Sequence, residues 1–147
     1  MLLLVRTSNP GAADFEDLDL AGGNSEKLWE RVAGMVDELG RVNVGEGGLS
    51  DVGAVVGATE PGHLRKARQL MGSAPFLLPG IGAQGGRVED LAAAFEPGRA
   101  GGLVSASRSI ANAHRTRGGE PAAAARAEAE RLREAAWALS DQIVRAG

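Results

Sequence analysis

Four times along the chain, a short apolar run is followed by a turn-forming loop and then by a segment with helical spacing. No other feature restricts the fold as strongly. Strands that alternate with helices pair in parallel, and a parallel sheet has to be covered on both faces or closed into a barrel. The first run, Leu2-Leu3-Leu4-Val5, ends at the turn residues Ser8-Asn9-Pro10-Gly11. A polar connection leads to a helix that Ser25 can cap, with Leu28, Val32, Met35, Val36 and Leu39 at helical spacing and Gly40 placed to stop it.

The second unit reads as a strand over Val52–Gly57, then Thr59-Glu60-Pro61 opening a helix with Leu64, Ala67 and Met71 on one face. The third begins at Phe76-Leu77-Leu78 and passes through Pro79-Gly80-Ile81-Gly82-Ala83-Gln84-Gly85-Gly86 into a predicted helix bearing Val88, Leu91, Ala92 and Phe95. The fourth runs from Gly102-Leu103-Val104 through Ser105-Ala106-Ser107-Arg108-Ser109-Ile110. It closes with an Ala-rich helix from about Pro121 to Val144 that places Leu132, Ala136, Leu139 and Ile143 on one stripe. An eight-unit barrel takes about 250 residues, roughly 31 per unit, so 147 residues hold about four units. The expected class is α/β, with residues 1–147 as a single partial domain of parallel (β/α) units, half of a (β/α)₈ barrel. A small open four-stranded α/β sheet has the same periodicity, so the loops must choose.

Composition narrows the function. The 22 glycines against 3% aromatic residues imply many loops in which backbone turns or approaches a ligand. The net charge of -3 is scattered, which argues against nucleic acid. With no cysteine and two distant histidines, His63 and His114, a metal site has no support. The four-residue run at the start is too short for a membrane span or signal core, so a cytoplasmic protein is expected. A buried strand directly at Met1 suggests a chain that begins in the middle of a fold.

Barrel enzymes often hold phosphate on the loops after strands 7 and 8. Here the last two loops suit that role: Gly80–Gly86 offers backbone N–H groups with little bulk, and Arg108 stands where a short helix could begin. Gly80-Ile81-Gly82-Ala83-Gln84-Gly85 also satisfies the dinucleotide pattern G-x-G-x-x-G, but Ala100-Gly101-Gly102 occupies the place of its acidic partner. A flexible surface turn is the remaining reading of that loop.

Together, Val5-Arg6-Thr7-Ser8-Asn9-Pro10-Gly11-Ala12, Val55-Val56-Gly57-Ala58-Thr59, Pro79-Gly80-Ile81-Gly82-Ala83-Gln84-Gly85-Gly86 and Ser107-Arg108-Ser109-Ile110 resemble strands 5 to 8 of the orotidine 5'-monophosphate decarboxylase family. The likeness is to the bacterial branch with a Thr-Ser-Asn-Pro motif, and it spans nearly the whole chain. It implies conversion of orotidine 5'-monophosphate to UMP and CO₂ in pyrimidine synthesis, without a cofactor. It further implies that Gln84 bridges phosphate and pyrimidine, Arg108 pairs with the phosphate, Ser8 bonds the pyrimidine edge, and Pro79 and Gly85 line the substrate. The plain alternatives are a turn residue at Ser8, a loop amide at Gln84 and a surface helix residue at Arg108. Arg6 and Asn9 lie beside the site and receive no role.

The family's Asp-x-Lys-x-x-Asp segment, whose lysine protonates the carbon that loses CO₂, has no counterpart here. Lys27 and Lys66 are the only lysines, and both read as solvated residues inside amphipathic helices. Ser107 stands where many relatives have Gly. The expectation is a phosphate- and pyrimidine-gripping half that is inactive alone and carries no catalytic residue. A second reading is a non-catalytic nucleotide- or phosphosugar-binding half-barrel, completed by another copy or by a complementary N-terminal half. A third is another phosphate-binding barrel enzyme, against which the Ser8 and Gln84 loops argue.

Overall fold

A computed structural model describes residues 1–22 and 25–146. Four strands form one parallel sheet: β1 (Leu2–Arg6), β2 (Gly53–Val56), β3 (Phe76–Leu78) and β4 (Gly102–Val104), in the spatial order β1-β2-β3-β4. This order decides between an open doubly wound sheet and part of a barrel. When each strand is added beside the last in the same direction, right-handed crossovers place every connecting helix on the same face. The opposite face stays bare unless the sheet curls closed.

Burial follows that asymmetry. The in-register row Leu3, Ala54, Phe76 and Gly102 faces the helices, with Ala54 and Phe76 fully buried. The next row, Leu4, Val55, Leu77 and Leu103, faces the other way, and Leu4 and Leu103 remain 62% and 48% exposed. At the end of β1 the register slips: Leu4 pairs with Val55, but Arg6, two residues on, pairs with Val56. This one-residue bulge turns Val5 and Arg6 both toward the helices, and both are buried.

The helices are α1 (Ala12–Glu16), α2 (Leu28–Gly40), α3 (Pro61–Leu70), α4 (Arg108–Ala111), α5 (Ala113–Arg117) and α6 (Pro121–Ala146). In α3, Pro61 opens the first turn, and Leu64, Ala67 and, just past its end, Met71 are buried as their spacing predicts. In α6, Leu132 is buried, and Ala136, Leu139 and Ile143 pack partly against the core. No helix among the described residues is long and apolar enough to cross a membrane.

Several local expectations are corrected. Ser25 does not cap α2; it has φ 51°, and the chain stays extended through Lys27, held by Leu20 N–H to Glu26 O and Leu28 N–H to Leu18 O, both at 2.9 Å. Lys27 therefore precedes the helix rather than lying in it, and its N–H donates to the Glu30 carboxylate at 3.1 Å. The buried face of α2 is Trp29, Ala33, Val36 and Gly40, which leaves Met35 and Leu39 more than half exposed. Gly40 does not terminate the helix by a left-handed turn; a Cβ there would meet Ser50 Oγ at 2.8 Å, so it permits close packing.

The last correction is the predicted helix after β3, which is two 3₁₀ segments, Val88–Asp90 and Ala92–Phe95. Pro97 has no N–H to give the Ala93 carbonyl, and that carbonyl instead accepts from Arg68 Nε at 3.1 Å. Arg68 also donates to the carbonyls of Met71, Ala74 and Ala94 at 2.7, 2.9 and 3.1 Å, and lies 3.8 Å from the Phe76 ring centroid. Burial pushes its pKa down to about 10, with Glu96 opposing, so it remains charged at neutral pH. One buried guanidinium thus ties α3, the start of β3 and the 3₁₀ segments together.

Candidate functional site

The C-terminal ends of parallel strands are where loops converge, and three of the four loops meet here through glycine positions. A Cβ on Gly57, after β2, would meet Ser8 Cβ at 2.9 Å. One on Gly80, after β3, would meet Gln84 Oε1 at 2.9 Å and Ser8 Oγ at 3.1 Å, and Gly80 itself has φ 103°. Any side chain at either position displaces Ser8 or Gln84. Ser8 Oγ–H donates to Gln84 Oε1 at 2.6 Å, joining residues 76 apart in sequence. Pro79 is half-buried beside them, its carbonyl accepting from Ala58 N–H at 2.9 Å.

The fourth loop joins from the other side. A Cβ on Gly82, φ 73°, would meet Ser109 Cβ at 2.9 Å, so the loop after β3 lies directly on the start of α4. Arg108, the first residue of α4, is exposed and forms no ion pair among the described residues. The Ser109 hydroxyl is buried without a hydrogen-bond partner. Four of the five residues expected at the site, Ser8, Pro79, Gln84 and Gly85, fall on these loops around Gly80, and the fifth, Arg108, borders them.

The glycine loop is more self-contained than its composition suggests. The N–H groups of Gly82, Ala83, Gly85 and Gly86 donate to Gly86, Ile81, Gly82 and Gly80 carbonyls within the loop, at 2.9 to 3.1 Å. Those four are therefore not free donors, which corrects the expectation of a loop rich in open amides. The N–H groups of Gln84 and Arg87 have no backbone acceptor among the described residues.

Behind Ser8 lies a charged cluster that no spacing or motif in the chain foretells. Arg6 is buried and donates to Glu16 Oε2 at 2.8 Å and to Asp17 Oδ2 at 3.0 Å. Glu16 in turn accepts from Thr7 N–H at 3.0 Å and Thr7 Oγ1–H at 2.9 Å. Neither lysine reaches the site. Lys27 pairs with Asp19 at 2.7 Å, a hydrogen bond that raises its pKa, and Lys66 in α3 lies 3.9 Å from Glu30.

Comparison with known proteins agrees with this geometry. No family model matches the chain. It is 44% identical to the orotidine 5'-phosphate decarboxylase of Deinococcus radiodurans over 143 residues, 97% of this chain and 46% of that protein. It is equally identical to that of Caldicellulosiruptor bescii over 115 residues, 78% of this chain and 37% of that one. This chain belongs to the orotidine 5'-phosphate decarboxylase family. It spans less than half the length of these curated relatives. Solved structures are likewise covered only in part. The OMP decarboxylase of Leishmania donovani matches with TM-score 0.59 and 30% identity, over 91% of this chain and 47% of that one. The UMP synthase of the same organism gives TM-score 0.63 and 33% identity over 92% and 27%. The open sheet is thus the family's barrel over about half its extent.

Proposed function

We propose that this chain is the nucleotide-gripping half of an orotidine 5'-phosphate decarboxylase, serving the conversion of orotidine 5'-monophosphate to UMP and CO₂. The observation that carries the reading is the Ser8–Gln84 hydrogen bond, backed by Gly57 and Gly80. It presents a hydroxyl and an amide together at the strand ends, the pair a pyrimidine edge needs. The unpaired Arg108 guanidinium supplies a phosphate partner, and the buried Ser109 hydroxyl and free Gln84 N–H lie on the same loops. Pro79 and Gly85 would line the substrate.

Phosphate binding of this kind contributes to rate by anchoring a substrate whose reacting carbon lies elsewhere. The 147 residues contain no Asp-x-Lys-x-x-Asp segment, and both lysines are engaged on the helix side. The isolated chain is therefore expected to leave orotate absorbance unchanged when mixed with orotidine 5'-monophosphate, and turnover would overturn that expectation. UMP binding is expected, and Arg108→Ala should weaken it about tenfold, the scale of one charge-assisted hydrogen bond, while leaving the thermal melt unchanged. Equal affinity in that variant would remove Arg108 from the site.

A second reading concerns assembly. The outward row Leu4, Val55, Leu77 and Leu103, exposed at its two ends and lying between open edges at β1 and β4, favours a unit that is completed by another. An apolar groove of about 420 Å³ between β4 and α6, lined in part by Val104, Ile110 and Trp137, adjoins that row at Leu103. A second copy or a complementary N-terminal half would cover it, in a cytoplasmic setting.

A further inference from the structure

The buried charges behind Ser8 have no evident reason to be there as core. Arg6 follows three leucines and a valine in β1, and strict alternation would point it to the bare face with Leu2 and Leu4. The bulge rotates it to the helix side, where Glu16 and Asp17 at the end of α1 meet it. Burying a guanidinium against two partly buried carboxylates carries a desolvation cost that ion pairing at best offsets. A network of this kind is weak as a source of stability and strong as a source of geometry.

Its geometry is directed at one place. Both Glu16 oxygens are engaged by Thr7, one by its N–H and the other by its hydroxyl, and Oε2 also takes Arg6. Arg6 Nη1 returns to the Thr7 carbonyl at 3.0 Å. Thr7 is thus fixed at its N–H, its carbonyl and its side chain. The next residue is Ser8, whose Cβ sits against Gly57 and whose hydroxyl reaches Gln84. Without that grip, the segment Thr7–Gly11 is a turn connecting a strand to a five-residue helix, with several backbone conformations open to it.

We infer that Glu16, held by Arg6, is a positioning residue: it fixes Thr7 so that Ser8 points at Gln84, and thereby sets recognition of the base end of the nucleotide. This rests on the proposed nucleotide-gripping function. The base end depends on Ser8, whereas the phosphate end depends on Arg108 and the glycine loop, so the two can be separated by ligand.

The test uses the full chain with UMP and with ribose 5-phosphate, which lacks the base, each titrated by amide chemical-shift changes. Glu16→Ala should weaken UMP about tenfold, the scale of one lost hydrogen-bonding interaction, and change ribose 5-phosphate less than about twofold. Glu16→Gln keeps the Thr7 acceptor and should recover most of the UMP affinity. If Glu16→Ala does not fold, Thr7→Val, which removes only the hydroxyl donor, should show the same ligand split on a smaller scale. Unchanged UMP affinity in a folded variant, or equal weakening of both ligands, overturns the inference while the proposed function stands. Failure of the unaltered chain to bind either ligand overturns both.

Discussion

The two faces of the sheet are built from similar residues and end in opposite states. On the helix side Ala54, Val56, Phe76 and Leu78 are fully buried; on the other, Leu2, Leu4 and Leu103 are 42%, 62% and 48% exposed. The difference does not come from hydrophobicity, since leucines populate both. It comes from sequential strand order with one-handed crossovers, which supplies helices to one face only. The covered face is where stability resides, and the bare face is where association is expected.

The largest expected effect lies on the covered face. Arg68→Ala leaves the carbonyls of Ala74, Ala93 and Ala94 without this donor, so a loss on the order of 4 kcal/mol or more is expected, enough to abolish a cooperative thermal melt. A normal melt would show that the covered face does not depend on its buried cation. On the bare face the expectation reverses. Leu4→Ser with Leu103→Ser should change stability by no more than about 0.5 kcal/mol per site while shifting sedimentation toward monomer. A large destabilisation there would erase the contrast between the faces.

The smallest effect sits at the packing of α5 on α6. There, hydrogen bonds from Arg131 and Arg117 hold the Glu128 carboxyl below its ordinary value of 4.5. Its folded-state pKa is lowered, so its contribution is complete above 4.5 and is lost as pH falls through the folded value. The stability gap between the chain and Glu128→Gln should therefore close in acid, and a gap that persists there would mean packing rather than charge.

How much of this was legible depends on range. The four strands were readable because parallel strands are continuous apolar runs, and α6 because a 26-residue helix averages over local noise. The stretch after β3 misled because Val88, Leu91 and Phe95 keep helical spacing and are indeed buried, while Pro97 and Arg68, the residues that divert it, act from outside that pattern. Met35 and Leu39 misled because a stripe of apolar residues does not say which side a sheet will take. Ser8 and Gln84 could be paired through the family resemblance; spacing alone contains nothing that joins loops 76 residues apart. The link from Glu16 to Thr7 had no sequence signal, since an acid in a polar connection looks like solvent-facing chain.

The extra residue at the end of β1 gives the site an unusual kind of dependence. Removing one residue anywhere between Leu2 and Val5 would keep the composition of the strand, and a scan of single substitutions would register little at several of those positions. The deletion would let Arg6 reach the helix face by plain alternation, but it would remove the bulge that sets Val5 and Arg6 side by side on that face, and with it the path by which the strand now delivers Thr7 to Glu16. Part of what this chain encodes about its ligand is thus a count rather than a chemistry, and deletions, not replacements, are the changes that would reveal it.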